Sequence, residues 1–463
     1  MQEVKPTSFW TIDPSTQKPL KEYPYQSWLE ILPKLELSKR AFRSHGFGSL
    51  LEERKKWVLQ IARSLLEKRD EIAHLMSLEM GKPLKESRGE VEKCALLCEV
   101  FAAHSDEWLK EQVISNQYKV VRHPYGVVLG IMPWNFPFWQ VFRYAIPALL
   151  SGNSVLLKHS DQVAGSAQLL EKIFQQSLPN ANLFQCLFVD HQVAEQVIQS
   201  SFINMVSFTG STTAGARVAG LCGQTLKKCV IELGGNDAYV VAASADLKHA
   251  AKICAAGRLV NNGQSCVSAK RFLIHRLVFS SFLKLFQAEI AQFKLGAPLE
   301  QGTDLGPLSA KRFYEQIQMQ CRDLESKGYQ KVYEHPGVKD SLGNYFAPRI
   351  YVGTSAADFY DEEIFGPVAV CYSYESWEEV EHFITGSQYG LGSAFFSQDQ
   401  NEKDRFIRCS EAGFVSLNES VKSSPVAPFG GFKNSGFGRE LGQAGFLEFT
   451  QTKTIFGEGF SVS

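Results

Sequence analysis

Apolar and polar positions between residues 126 and 235 follow two alternating patterns. Continuous apolar runs of strand length are each followed by a stretch whose apolar residues recur at helical spacing. Because strands that are buried on both faces read as continuous apolar runs, this alternation predicts a parallel, doubly wound sheet. The predicted strands are 126–133, 154–160, 183–189, 205–211 and 228–235, and the predicted helices lie near 138–150, 164–176, 191–200 and 212–221.

The remaining chain continues the mixed pattern, so the predicted fold class is α/β. Helical spacing of apolar residues predicts one long helix over 49–78, which Gly81 and Pro83 end. Alternating threonine and apolar residues at 450–457 favour a strand. Further predictions are helices at 86–105 and 246–260, strands at 117–123 and 271–275, and mixed elements to about 435.

The charge balance argues against two classes of partner. The 463 residues include 48 basic and 49 acidic side chains, which give a net charge of -1 at pH 7. This balance offers no bulk attraction for nucleic acid or for an anionic membrane surface. Pro, Asn and Arg residues interrupt the apolar stretches near 126–157, so we expect no membrane span. The length favours two or three domains.

Cysteine and histidine usage bears on compartment and metal content. Ten cysteines extend from Cys94 to Cys409 without a C-x-x-C pair, and the N-terminal MQEVKPTSFW has neither an apolar leader nor an Arg-rich amphipathic stretch. These features predict free thiols in a reducing compartment, with the cytoplasm as the default. None of the ten histidines forms H-x-x-H or H-x-x-x-H, so no metal site is predicted.

Three polar residues next to predicted strands or turns could carry chemistry. Cys266 lies in the tight GQSC loop and could act as a thiolate nucleophile, although a buried inert cysteine is the more common use. Glu232 ends an apolar strand, where partial desolvation could make it a general base; the alternative is an ordinary salt-bridged glutamate. Asn135, between two prolines, could donate to an oxyanion or serve as a turn asparagine.

Two further loops have the chemistry of a dinucleotide site. Gly210 and Ser211 follow a predicted strand and begin a helix, where backbone N–H groups favour phosphate. Neither a Walker A loop nor a G-x-G-x-x-G motif after the first strand is present. Lys158 and Asp161 end and follow another strand, where they could contact the adenosine ribose or be solvated loop charges.

Taken together and in this order, the motifs resemble the aldehyde dehydrogenase superfamily across nearly the whole chain. Cys266 lies 34 residues after Glu232 and 97 residues before Glu363, and both spacings resemble those of the family. The matching segments are PWNFP (133–137), GNSVLLK (152–158), FTGS (208–211), ELGGN (232–236), GQSC (263–266), EEIFGPV (362–368) and PFGGFKNSGFGRE (428–440).

The resemblance implies NAD(P)-dependent oxidation of an aldehyde through covalent chemistry on Cys266. Cys266 would form a thiohemiacetal and then a thioester, with Asn135 holding the oxyanion and Glu232 activating the water that releases the acid. A base at Glu232 favours hydrolysis over transfer to coenzyme A. Asp161, where NAD-preferring relatives often carry glutamate, favours NAD over NADP. The implied cofactor contacts are Trp134, Lys158, Asp161, Gly210, Ser211, Leu233, Glu363 and Phe365.

The substrate implied by the resemblance is succinate semialdehyde, as in the short bacterial branch of the family. Arg143, eight residues after Asn135, matches an arginine that binds the substrate carboxylate, and Ser424 matches a serine beside it. Arg143 could instead form only a structural salt bridge. A second arginine found in some semialdehyde enzymes is absent, because Val260 occupies its position. Ser268 occupies the position of a redox cysteine, so no disulfide to Cys266 is expected.

The resemblance also implies a domain organisation and an oligomer. We expect a cofactor domain from 1–105 and 125–234, a catalytic domain from 235–439, and a small β oligomerisation element from 106–124 and 440–463 that would support a homodimer or homotetramer. Three alternatives remain open. They are a dehydrogenase for another aliphatic, aromatic or phosphorylated aldehyde, a non-catalytic family member, and a cysteine hydrolase, although no motif supplies a hydrolase with a histidine partner.

Overall fold

The computed structural model describes residues 7–337 and 343–460. Its strands are β1 Ser8–Ile12, β2 Pro19–Pro24, β3 Gln112–Ser115, β4 Tyr118–Pro124, β5 Val127–Met132, β6 Ser154–His159, β7 Phe184–Cys186, β8 Met205–Thr209, β9 Lys228–Glu232, β10 Ala238–Val241, β11 Arg271–His275, β12 Gln330–Glu334, β13 Arg349–Val352, β14 Val368–Tyr374, β15 Tyr389–Gly390, β16 Gly392–Phe396, β17 Phe414–Leu417, β18 Phe432–Lys433, β19 Gly436–Phe437 and β20 Thr450–Phe456. Its α-helices are α1 Trp28–Ala41, α2 Leu51–Glu67, α3 Arg69–Met80, α4 Leu84–Trp108, α5 Trp139–Leu150, α6 Ala164–Ser177, α7 His191–Gln199, α8 Thr212–Gln224, α9 Leu247–Leu259, α10 Phe279–Ile290, α11 Lys311–Ser326, α12 Trp377–Thr385, α13 Gln400–Cys409 and α14 Gly442–Leu447.

The alternating region forms one sheet in the order β19-β9-β8-β5-β6-β7. All neighbours in it are parallel except β19, which pairs antiparallel with β9. Strands β5, β6 and β8 are almost entirely buried, which explains their continuous apolar sequences. The predicted parallel α/β architecture is therefore confirmed, and the loops that follow β5, β6, β8 and β9 meet at one edge of the sheet.

A second sheet has the order β12-β13-β14-β11-β10-β16-β17, and only its edge strand β12 is antiparallel. It begins with β10, just after the expected boundary at residue 235. Strand β19, which lies within the expected 235–439 domain, pairs with β9 of the first sheet. Gly436 makes this pairing with Glu232 feasible, because its φ is 113° and a Cβ there would lie 2.0 Å from the Ile231 carbonyl oxygen.

The prediction of one helix over 49–78 is wrong. Two helices, α2 and α3, cover this region, and Lys68 between them has φ -103° and ψ 13°. The Lys68 N–H still donates to the Ser64 carbonyl, so the apolar spacing continues through the break. Both helices pack against α4 and α6, and this packing gives α2 and α3 separate helix axes. The periodicity of apolar residues alone predicts a single helix axis.

Strands from both segments of the predicted β element form an antiparallel sheet of order β20-β4-β3. Residues 118–124 of β4 pair in register with residues 450–456 of β20, as the strands expected at 117–123 and 450–457 require. Residues 461–463 of the expected element lie outside the described residues. Within the described part of the chain, no helix is both long enough and apolar enough to cross a membrane.

Candidate active site

The loop that carries Cys266 has an unusual backbone. After α9, three successive residues, Asn261, Asn262 and Gly263, have positive φ values of 54°, 58° and 75°. A Cβ on Gly263 would lie 2.5 Å from the Gly366 carbonyl carbon, so only glycine fits there. This turn directs Cys266 toward the edge of the first sheet.

Two buried cations hold the cysteine loop by its carbonyl groups. Arg258 donates to the carbonyl oxygens of Gly263 and Ala269, both at 2.8 Å. Lys270 donates to the Cys266 carbonyl oxygen at 2.6 Å and ion-pairs with Glu363 at 3.1 Å. The sequence reasoning assigned neither cation a role. The sequence does contain an indication of such a role, because both are basic residues close to Cys266 in a segment that is otherwise apolar or buried.

The Cys266 side chain is half-buried and carries its proton at rest. Burial raises the pKa of this thiol to about 12, although the positive charges of Arg143 and Lys270 act in the opposite direction. A thiol with so high a pKa is a weak nucleophile at neutral pH. A base is therefore needed to take its proton.

Asn135 is fixed beside the cysteine loop. Its Nδ2 donates to the Gln264 carbonyl oxygen at 3.0 Å, and its Oδ1 accepts from Gln140 Nε2 at 3.0 Å. A carboxamide nitrogen has two N–H groups, and among the described residues only one of them has an acceptor. The second N–H is available to a developing oxyanion near Cys266.

Glu232 belongs to a buried charge cluster behind the nucleophile. Neither carboxyl oxygen has a hydrogen-bond partner among the described residues. Burial raises its pKa well above the usual range, and the Glu440 carboxyl adds to this effect while Arg143 opposes it. Arg143 Nε lies 2.8 Å from Glu440 Oε2. Glu232 is therefore a buried carboxyl whose pKa is shifted upward, the direction that a catalytic general base or acid needs.

Two adjoining clefts open at the strand ends. The larger has a volume of about 530 Å³ and includes Lys158 and Asp161 in its wall. The smaller has a volume of about 220 Å³ and is lined by Asn135 and Cys266. Other predicted residues that line one or both clefts are Trp134, Gly210, Ser211, Leu233, Glu363 and Phe365.

The clefts fit a dinucleotide. Ser211 caps the N-terminus of α8, where free N–H groups attract phosphate. A Cβ on Gly234 would lie 2.1 Å from Glu363 Oε2, so the glycine lets the backbone pass close to this carboxylate. The hydroxyl of Thr209 is buried without a hydrogen-bond partner in the described chain and lines both clefts. An aromatic wall is formed by Trp134 with Phe365.

Asp161 is already engaged by two side chains. Tyr25 donates its hydroxyl to Oδ2 at 2.6 Å, and Lys158 Nζ lies 2.9 Å from Oδ1. The lysine offsets the carboxylate charge, and the tyrosine fixes its orientation. Both contacts reduce the repulsion of a 2′-phosphate, which was the basis for expecting NAD.

The two residues expected to hold a substrate carboxylate lie outside both clefts. Arg143 is buried on α5 beside the Phe429 ring, 5.2 Å from its centroid, and ion-pairs with Glu440. Its Nη2 has no hydrogen-bond partner among the described residues. Ser424 is half-buried in the loop after β17. Their roles stay predictions.

Comparison with known proteins defines the class. Residues 2–455 match the model of the aldehyde dehydrogenase family, and the chain belongs to this family. The resemblance expected from the motifs is therefore confirmed. Among its relatives is a protein of Synechocystis sp. named probable succinate-semialdehyde dehydrogenase [NADP(+)], which is 38% identical over 96% of this chain and 99% of its own length.

Two further relatives have similar names. An Escherichia coli protein named succinate semialdehyde dehydrogenase [NAD(P)+] Sad is 35% identical over 96% of this chain and 97% of its own length. A solved structure of succinic semialdehyde dehydrogenase from Streptococcus pyogenes, in complex with NADP+, has a TM-score of 0.93 and is 32% identical, covering 97% of this chain and 100% of that one. These names support NAD(P) use and do not support the expected preference for NAD.

Proposed function

We propose that the protein oxidises succinate semialdehyde to succinate with NADP+ or NAD+. The observation that carries the proposal is the juxtaposition, in one cleft, of Cys266, Asn135 and the residues of the cofactor site. The buried cation Arg143, which acts electrostatically on Cys266, supports an acidic aldehyde as the substrate. The names of the Synechocystis and Escherichia coli relatives point to the same substrate.

Cys266 attacks the aldehyde carbonyl after losing its proton to a base. The Asn135 side chain and the Cys266 backbone N–H stabilise the oxyanion of the thiohemiacetal. A nicotinamide cofactor held beside Trp134, Glu363 and Phe365 would supply the hydride acceptor needed to convert the thiohemiacetal on Cys266 into a thioester. Glu232 takes a proton from water, the hydroxide attacks the thioester carbonyl, and the thiolate leaves as the acid is released.

Glu363 and Lys270 organise the cofactor end of this cleft. Their ion pair ties the carboxylate that faces the cofactor to the loop that presents the nucleophile. A shift of one group would therefore move the other. The ion pair would therefore hold the carbon bound to Cys266 in line with the hydride acceptor. A misplacement of about 1 Å in such an arrangement lowers the reaction rate strongly.

NADP+ is expected to serve at least as well as NAD+. Tyr25 and Lys158 engage both oxygens of Asp161, and the cationic side chain of Arg312 lines the same cleft. Positive side chains in that wall favour a cofactor with an additional phosphate. The protein would act in the cytoplasm, where its ten free cysteines stay reduced.

A homo-oligomer built through the β20-β4-β3 sheet is part of the proposal. Both outer strands of this sheet have free edges within the described chain, and Ile114 and Phe456 expose apolar side chains there. Such edges pair readily with a second copy. Sedimentation equilibrium of the wild type and of a Phe456→Lys variant would measure whether the dimer or tetramer depends on this edge.

The test of the proposed function measures reduced cofactor with succinate semialdehyde and with butanal, each with NADP+ and NAD+. We expect a higher kcat/KM for the acidic aldehyde and turnover with both cofactors. Preference for butanal would assign the protein to another aldehyde. Absence of turnover on any aldehyde, together with a Cys266 that iodoacetamide does not modify, would identify a non-catalytic member.

A further inference from the structure

A second cation lies beside the predicted carboxylate site. Lys93, on α4, donates to Ser423 Oγ at 2.9 Å and lies over the Trp139 ring with Nζ 4.2 Å from its centroid. Trp139 also donates its indole N–H to Ser423 Oγ, at 3.1 Å. Ser423 immediately precedes Ser424, so Lys93 is held next to a residue already expected to contact substrate.

Helix geometry brings this cation close to Arg143. Trp139 and Arg143 are four residues apart on α5 and therefore lie on one face, about one 5.4 Å turn from each other. The ammonium of Lys93 sits on the ring of Trp139. Burial and then the positive charge of Arg143 lower the pKa of Lys93 to about 8, so most of its population is cationic at neutral pH.

The charge of Lys93 is not neutralised by Glu90, the carboxylate one turn before it on the same helix. Glu90, one turn earlier on α4, ion-pairs with Lys82 and accepts the backbone N–H groups of Phe138 and Trp139. Among the described residues, Lys93 contacts the Ser423 hydroxyl and the Trp139 ring and forms no ion pair, so its positive charge stays uncompensated. A half-buried cation of this kind attracts an anion.

Arg143 differs in this respect. Its guanidinium already faces the Glu440 carboxylate and the Phe429 ring, so much of its charge is compensated within the protein. Lys93 has no ion-pair partner of this kind among the described residues, so its charge is the one left for a bound anion.

We propose that Lys93 binds the carboxylate of the substrate and selects ω-carboxy aldehydes over neutral ones, with Ser423 and Trp139 fixing its position. This inference rests on the proposed function. The aldehyde end of the substrate reaches Cys266 and its carboxylate end lies between Lys93 and Arg143. An aldehyde without a carboxylate gains nothing from Lys93.

The experiment compares Lys93→Met with Lys93→Arg. Methionine keeps an apolar stem against Trp139 and removes the charge, whereas arginine keeps the charge. Lys85→Met is the matched control, because Lys85 is an exposed lysine on the same helix and its loss changes net charge equally. The measured quantity is the ratio of kcat/KM for succinate semialdehyde to kcat/KM for butanal, a neutral aldehyde of the same carbon number.

We expect the ratio to fall about tenfold in Lys93→Met, mainly through KM for the acidic aldehyde, because a charge-assisted contact is lost. Lys93→Arg and Lys85→Met should keep the ratio near that of the wild type. A structural role would lower kcat/KM for both substrates and leave the ratio unchanged, which would overturn the inference while the proposed function stands. A wild type that does not prefer the acidic aldehyde would overturn both.

Discussion

The Glu440→Gln substitution tests the buried charge cluster behind Cys266. The Glu440 side chain is fully buried, and its Oε2 lies 2.8 Å from Arg143 Nε. Removing one partner of a buried ion pair leaves the other charge uncompensated, at a cost of about 3–5 kcal/mol. Glutamine keeps the volume and one acceptor oxygen, so we expect a loss near the lower end, about 3 kcal/mol, in the free energy of unfolding measured with urea.

The same substitution should change the pH dependence of turnover. The Glu440 carboxyl raises the pKa of Glu232, and Arg143 lowers it. In Glu440→Gln the repulsion disappears and the charge of Arg143 is no longer offset, so both changes lower the pKa of Glu232. A general base works when ionised, and the rising limb of kcat against pH should therefore move to lower pH.

Glu448→Gln is the control for removing a carboxylate from the same segment. Glu448 pairs with Lys228 at 2.6 Å, and both side chains are partly exposed. We expect it to cost less than about 1 kcal/mol and to leave the pH limb in place. A limb that stays where it is, or moves to higher pH, in Glu440→Gln would refute the coupling of Glu232 to this cluster.

Three further predictions concern other parts of the molecule. Tyr25→Phe should lower the ratio of kcat/KM for NADP+ to that for NAD+, because one oxygen of Asp161 is released; Asp161→Asn should raise it. Lys270→Met should slow alkylation of Cys266 by iodoacetamide at a fixed pH, since its charge lowers the pKa of that thiol. Burial raises the pKa of Glu79 to about 7, so the native state binds more protons than the unfolded state between about pH 4.5 and 7. The free energy of unfolding should therefore fall as the pH rises through this range. In urea titrations, Glu79→Gln should make the free energy of unfolding depend less on pH.

Much of the fold and part of the site follow from local sequence. The parallel sheet is predicted because buried strands leave continuous apolar runs, and the strand-end loops then bring Asn135, Ser211 and Leu233 to one edge. The break between α2 and α3 was missed, because apolar spacing persists through Lys68 while packing on α4 and α6 bends the axis. The periodicity of apolar residues shows which face of a helix is buried, but it does not show where the helix axis changes direction.

The sequence by itself determined the class of the protein, because Cys266 and its neighbours lie in short motifs whose residue types indicate their chemical roles. Tertiary structure alone decided the electrostatic partners. Glu232 meets Glu440 across more than two hundred residues, and Lys93 reaches Ser423 from a distant helix. Charge interactions depend on distance and burial in space, and neither quantity can be read from positions along the chain.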